Sequence, residues 1–324
     1  MPRARNGRAG DSPNPQTTPS RVAATDIVTS RENRWLKEFR VALRGGLATT
    51  SGAVGVEGVR LVEEALTSGC PVEAVLFSES GERYRDRLAP LVGRPETGFP
   101  VLRTTERLFE GIADTEHPQG VAALVVPRAS TLEQMVKART LEEVAGPAFR
   151  AGPFPETKQK PCAALLVVLA GVQDPGNVGT IVRTAAAFGA TGIVTAASGQ
   201  SGTASPFAPK AMRASAGAAL HLPILTGMAL AVLLTQLKLL GIRTVASCAH
   251  QFDEKNSDVR APWQIEWCEP TALLVGNEGA GLPEDIVHAA DTRIHIPVAT
   301  QVESLNAAAA AAVVLYEAYR QRSQ

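Results

Sequence analysis

Ile296-Pro297-Val298-Ala299-Thr300-Gln301-Val302-Glu303-Ser304-Leu305-Asn306 runs into an alanine-rich stretch that continues to Tyr319. The pattern predicts a short apolar strand ending at Pro297, a polar loop, and a helix with Ser304 and Asn306 in its first turn. A helix start of this kind offers backbone amides and small polar side chains to a bound molecule. Read singly, Ser304 is a helix cap and Asn306 a polar residue of the first turn. Their meaning depends on what else the chain brings to the same place.

Two upstream segments have the same strand–loop–helix form. In Leu273-Leu274-Val275-Gly276-Asn277-Glu278-Gly279-Ala280-Gly281-Leu282-Pro283, three glycines permit unusual backbone angles and close approach of a ligand. Glu278 stands at the C-terminal end of a strand, where parallel sheets place ligands, and Pro283 suits a helix start. A bare glycine-rich turn accounts for the glycines but not for the whole string. In Gly171-Val172-Gln173-Asp174-Pro175-Gly176-Asn177-Val178-Gly179-Thr180-Ile181-Val182-Arg183, a strand ends near Ala170 and a helix is expected from Asn177. Arg183 is then about 120° around that helix from Asn177. A guanidinium among Ile181, Val182 and Thr184 is held for a carboxylate or phosphate, or serves an ordinary salt bridge at a subunit interface. Asn177 fits an N-cap or a site residue. Between these segments, Lys210 and Arg213 sit among small residues, either as a phosphate grip or as the basic edge of a packed helix. No dinucleotide or P-loop spacing is present, which speaks against a nucleotide enzyme of another class.

From Cys162 onward, continuous apolar strands alternate with helices: strands at Ala164–Leu169, Gly192–Ala196, around His221–Leu225, Ile242–Ser247, Ala272–Val275 and Arg293–Ile296. This predicts an α/β fold with a mostly parallel sheet covered on both faces. Residues 30–126 read as a smaller α/β domain, with a helix capped by Ser30 that buries Trp35, Leu36, Phe39 and Leu43. Residues 1–24 are poor in large apolar groups and read as a disordered tail. Prolines crowd 147–161, so the partition expected is a tail at 1–24, a domain at 25–126, a linker or insertion at 127–160, and a second domain at 161–324.

Composition narrows the class. With 45% hydrophobic and 20% charged residues among 324, the chain has material for two ordinary cores. The net charge is zero, but residues 1–44 carry nine Lys/Arg against four Asp/Glu, a distribution suited to a polyanion or to a solvated face. Cys70, Cys162, Cys248 and Cys268 are scattered without metal-ligand spacing, so neither a metal site nor a disulfide framework is expected. A reducing compartment fits, the cytoplasm first, with Arg3, Arg5 and Arg8 leaving an organellar transit peptide open.

The three segments, in this order and spacing, resemble the motifs of the SpoU (TrmH-type) RNA ribose 2′-O-methyltransferases, over about residues 162–320. Residues 30–126 are similar to that family's L30e-like substrate-binding domain, through Thr29–Asn33, Val56–Arg60 and Pro118–Val121. The resemblance implies a SPOUT fold with a deep trefoil knot through the loop Val298–Glu303. It implies a homodimer, and S-adenosylmethionine held around Gly276, Asn277, Gly279, Ile296, Leu305 and Asn306. It implies catalytic roles for Arg183, Asn177, Glu278, Ser304 and Asn306. Arginine is a poor base in water, so Arg183 is expected to grip the target phosphate and polarise the hydroxyl, while a phosphate oxygen, Ser304 or water relays the proton. Arg31, Arg34, Lys37, Arg40 and Arg44, with Lys210 and Arg213, are the expected RNA contacts. Large-subunit ribosomal RNA is the expected substrate by analogy. The alternatives are transfer RNA, or a non-catalytic RNA-binding or ribosome assembly factor on the same fold.

Overall fold

The computed structural model describes residues 26–92, 98–137, 163–197, 202–248, 258–299 and 304–323. The first sheet is built from β1 (Asp26–Val28), β2 (Val54–Glu57), β3 (Val72–Phe77), β4 (Val101–Thr104) and β5 (Val121–Val125), in the order β1-β4-β3-β5-β2. β5 runs antiparallel to β2 and β3, and the other pairs are parallel. Helices α1 (Arg34–Leu43), α2 (Val59–Thr67), α3 (Arg85–Val92) and α4 (Glu106–Glu110) accompany it. α1 buries Leu36, Phe39, Ala42 and Leu43, the spacing of one helix face. Its cap is Asn33, whose side chain accepts from the Trp35 N–H at 2.9 Å. The expected cap, Ser30, lies one turn too early and closes the preceding loop through the Glu32 and Asn33 amides.

A short helix, α5 (Leu132–Val136), leads toward the second sheet and buries Leu132 and Met135 against it. That sheet holds β6 (Leu165–Ala170), β7 (Gly192–Ala197), β8 (Ile224–Ala229), β9 (Arg243–Cys248), β10 (Val259–Arg260), β11 (Thr271–Val275) and β12 (Thr292–His295). Their order is β10-β12-β9-β11-β6-β7-β8, and every pair is parallel. Helices α6 (Pro175–Ala187), α7 (Pro209–Ala214), α8 (Leu230–Leu239), α9 (Glu284–Ala289) and α10 (Ala307–Arg322) cover it. β6 shows why an apolar run becomes a central strand. Leu165, Val167 and Leu169 pack with α6 and α10, while Leu166, Val168 and Ala170 pack with α8 and α9. Both faces are covered, so no polar alternation is tolerated.

The core around α6 and α10 continues into the first domain through Val54 and Val121 of its sheet and Leu61 of α2. Polar ties cross the same boundary: Arg213 to Asp114 at 2.6 Å and His221 to Glu64 at 3.0 Å. Residues 138–160 of the expected linker, the tail before residue 25, and residues 300–303 of the loop expected to be threaded by the knot lie outside the described residues.

Candidate active site

In a parallel sheet the C-terminal ends of all strands share one edge, and the loops leaving them meet there. β6, β9, β11 and β12 end side by side in this way. After β6, Asp174 caps α6 by accepting the Gly176 N–H at 3.2 Å, and Pro175 occupies the first helical position. The helix therefore opens two residues before Asn177. Asn177 is not the cap, and its side chain points away from the helix's own amides. Its amide N–H donates to Glu278 Oε1 at 2.9 Å, and its carbonyl accepts from the Asn306 amide at 3.0 Å.

Asn306 has a second task. Its Oδ1 accepts the Ala308 N–H at 2.9 Å, making it the cap of α10. The expected helix start at Ser304 is thus corrected: the helix begins at Ala307, because Asn306 holds its first free amides. Ser304 stands before the helix, exposed, on the wall of the pocket described next.

Glu278 accepts from the backbone amides of Gln173 and Asp174 at 3.2 Å each, besides Asn177. Burial pushes its carboxyl up, but the donors of Asn177 and the neighbouring backbone outweigh this and leave it below the usual carboxylate range. It is an ionised anchor at neutral pH, not a proton donor. Asn277 shapes the loop itself: its Oδ1 accepts the Gly279 and Ala280 amides at 2.9 Å, and its amide reaches the Gly171 carbonyl at 2.9 Å. Gly276 is required by packing, since a Cβ there would lie 2.4 Å from the Gly281 carbonyl carbon and the Leu282 nitrogen.

Between these loops opens a pocket of about 330 Å³, within the size range of small-molecule sites. Gly276, Asn277, Glu278, Gly279, Ile296, Ser304 and Leu305 line it, and Ala310 and Val314 of α10 add an apolar wall. Sequence reasoning missed Ser247, Cys248 and His295, which also line it. Cys248 and His295 end β9 and β12, so the rule that ligands meet parallel strands at their C-terminal ends would have found them. Burial pushes the Cys248 thiol up to about 11, with Arg293 pulling it partly back. An apolar wall, backbone polar groups at strand ends, and a fixed carboxylate suit an amphipathic cation-bearing cofactor such as S-adenosylmethionine.

The expected basic residues lie differently. Arg183 is exposed on α6 and does not line the pocket. Among the described residues it makes no hydrogen bond or ion pair, so the partner expected from its apolar surroundings is not found among them. Lys210 pairs with Asp174 at 2.6 Å, and Arg213 with Asp114. On α1, Lys37 pairs with Glu32, Arg34 lies over the Trp35 ring, and Arg44 reaches the Gly111 carbonyl. Arg31 and Arg40 complete the row, Arg31 being exposed and Arg40 half-buried.

Residues 164–316 match the SpoU rRNA Methylase family, and residues 49–123 match the MRM3-like substrate binding domain. An uncharacterized tRNA/rRNA methyltransferase of Synechocystis is 32% identical over 91% of this chain and 94% of its own. The Bacillus subtilis 23S rRNA (guanosine(2553)-2′-O)-methyltransferase RlmP is 29% identical over 89% and 97%. The crystal structure of an AdoMet-bound rRNA methyltransferase from Sinorhizobium meliloti superposes with a TM-score of 0.68 at 27% identity, covering 91% of this chain and 98% of that one.

Proposed function

This chain belongs to the SpoU rRNA methylase family, and we propose that it methylates a ribose 2′-hydroxyl in large-subunit ribosomal RNA with S-adenosylmethionine as cofactor. The observation that carries this is the Glu278–Asn177–Asn306 bridge, which joins three strand-end loops at the rim of the pocket. A protein that only held RNA would need neither the pocket nor a bridge fixing its mouth.

The cofactor supplies the methyl group as an electrophilic sulfonium. The chain's own residues mainly position the reactants. Gly276, Ile296 and Leu305 offer backbone and apolar surface around the pocket. Glu278 and the two asparagines fix the loops. Arg183, with its guanidinium unengaged among the described residues, is available to the target phosphate as a fork-shaped donor. A phosphate oxygen, Ser304 on the pocket wall, or water passes on the hydroxyl proton.

Large-subunit RNA is favoured over transfer RNA by the named activity of RlmP and by the added substrate-binding domain. A homodimer is supported by an exposed apolar strip beside the pocket: Leu305 is 38%, Val313 43% and Tyr316 55% exposed. A cytoplasmic site is supported by Cys70 and Cys248, which form no disulfide among the described residues.

The test is methyl transfer from labelled S-adenosylmethionine to unmodified large-subunit RNA and to bulk transfer RNA, with 2′-O-methylation mapped by resistance to alkaline cleavage. A single protected position in the ribosomal RNA is expected. Label in the transfer RNA alone, or binding of the cofactor without transfer to either, overturns the reading.

A further inference from the structure

An open cleft of about 450 Å³ in the first domain is lined by Arg34, Trp35, Glu38, Ser51, Glu73 and Phe99, none of them part of the pocket above. Its construction starts with a bulge. β3 carries one residue more than β5 between the pairs Val72–Val125 and Ala74–Leu124, so Glu73 is the extra residue. Bulges re-aim a side chain out of the ladder. The Glu73 carboxylate is then fixed. Ser51 commits its one proton to Glu73 Oε2 at 3.0 Å, so Thr49 is the donor in the Thr49–Ser51 contact while its oxygen accepts the Ala53 N–H. Among the described residues, Glu73 Oε1 and the Glu38 carboxylate have no partner. At the rim the Arg34 guanidinium lies 4.6 Å from the centre of the Trp35 ring, and Phe99 adds a second aromatic surface.

We infer that this cleft takes an unstacked guanine of the substrate RNA. Unpaired bases are read by stacking on aromatic or guanidinium planes and by hydrogen bonds to their edges. Two carboxylates against one guanidinium repel a phosphate, so the cleft is not a backbone contact. A carboxylate only accepts. Guanine alone among the RNA bases presents two adjacent donors, N1–H and the N2 amine, on one edge. Its O6 and N7 suit the donors of Arg34. The inference rests on the RNA-methylating reading of the active site, since that reading supplies the RNA.

The test is the anisotropy of a labelled uridine heptamer bearing one central guanosine, against the same heptamer with inosine, which lacks the N2 amine, or with adenosine. The full chain should bind the guanosine heptamer about tenfold more tightly than the other two. Glu73→Gln should erase that preference while leaving cofactor binding unchanged, and Trp35→Leu should weaken all three. Equal affinity for the three heptamers, or a guanosine preference that survives Glu73→Gln, overturns the inference. Because this assay needs no methyl transfer, a protein that keeps the preference and lacks the activity would count against the active-site reading alone.

Discussion

Asn177 and Glu278, 101 residues apart in the chain, meet through a 2.9 Å hydrogen bond at the mouth of the pocket. Asn306 holds the other end of the same Asn177 amide at 3.0 Å. With one end donating and the other accepting, the orientation of each amide is fixed by its neighbour.

Asn306→Asp separates the two tasks of that residue. It keeps an oxygen for the Ala308 amide, so stability should change by less than about 1 kcal/mol. It removes the donor to Asn177, and methyl transfer should fall by about 100-fold, the scale of a displaced reactive geometry. Thermal unfolding beside single-turnover rates checks this, and a loss of activity no greater than the loss of folded protein contradicts it.

Glu278→Gln should change the acid limb of stability. The folded carboxyl lies below its ordinary value, so its contribution is complete above about pH 5 and drains away as pH falls through the folded pKa. Urea midpoints of the two proteins should differ at pH 7 and converge as the pH falls through the folded pKa. A constant gap across that range would remove the role assigned to the ionised form.

Gly276→Ala places a methyl group 2.4 Å from backbone atoms of Gly281 and Leu282. The loop must move, at a cost of about 1–3 kcal/mol, and cofactor affinity measured by calorimetry should collapse. Gly281, where a Cβ would meet nothing within 4 Å, has a backbone φ of 69°. Gly281→Ala should therefore cost about 1 kcal/mol and leave the pocket walls in place.

Cys248 should resist alkylation. With its thiol pushed up to about 11, iodoacetamide at pH 8 should label it roughly two orders of magnitude more slowly than an ordinary thiol. Peptide mapping over a time course reads the rate. Rapid labelling at pH 8 would show a thiolate facing the pocket, a poor neighbour for a methyl donor.

Val313→Glu tests the apolar strip on α10. If a second copy covers it, sedimentation should show a dimer for the natural chain and a monomer for the variant, with unfolding nearly unchanged because Val313 is already exposed. An unchanged sedimentation coefficient sinks this use of the strip.

Much of the second sheet was legible because β6 and β11 must be apolar on both faces. β1 and β4 were not, being three and four residues long with Asp26 and Arg103 in them. β8 starts three residues after its expected place, because a tight turn at Ala218–Leu220 takes up the chain first. In the site, the residue types around the pocket could be read from the strand–loop–helix pattern. Which asparagine caps a helix could not. Asp174 and Asn306 compete with Asn177 and Ser304 for that work, and the winner is set by where each helix docks. The absence of a partner for Arg183 among the described residues is a further fact that only the folded chain holds.

The bridge across the pocket mouth also sets a timetable. β12, made after β9 and β10, is inserted between them, and Asn306 follows it in the chain. Synthesis can therefore deliver most of the second sheet, and all of the first domain, before the Asn306 end of the rim exists. A nascent or prematurely ended product that stops short of residue 306 lacks both the Asn306 amide and the α10 face that packs on β6, so competence arrives as a late event in the life of each molecule.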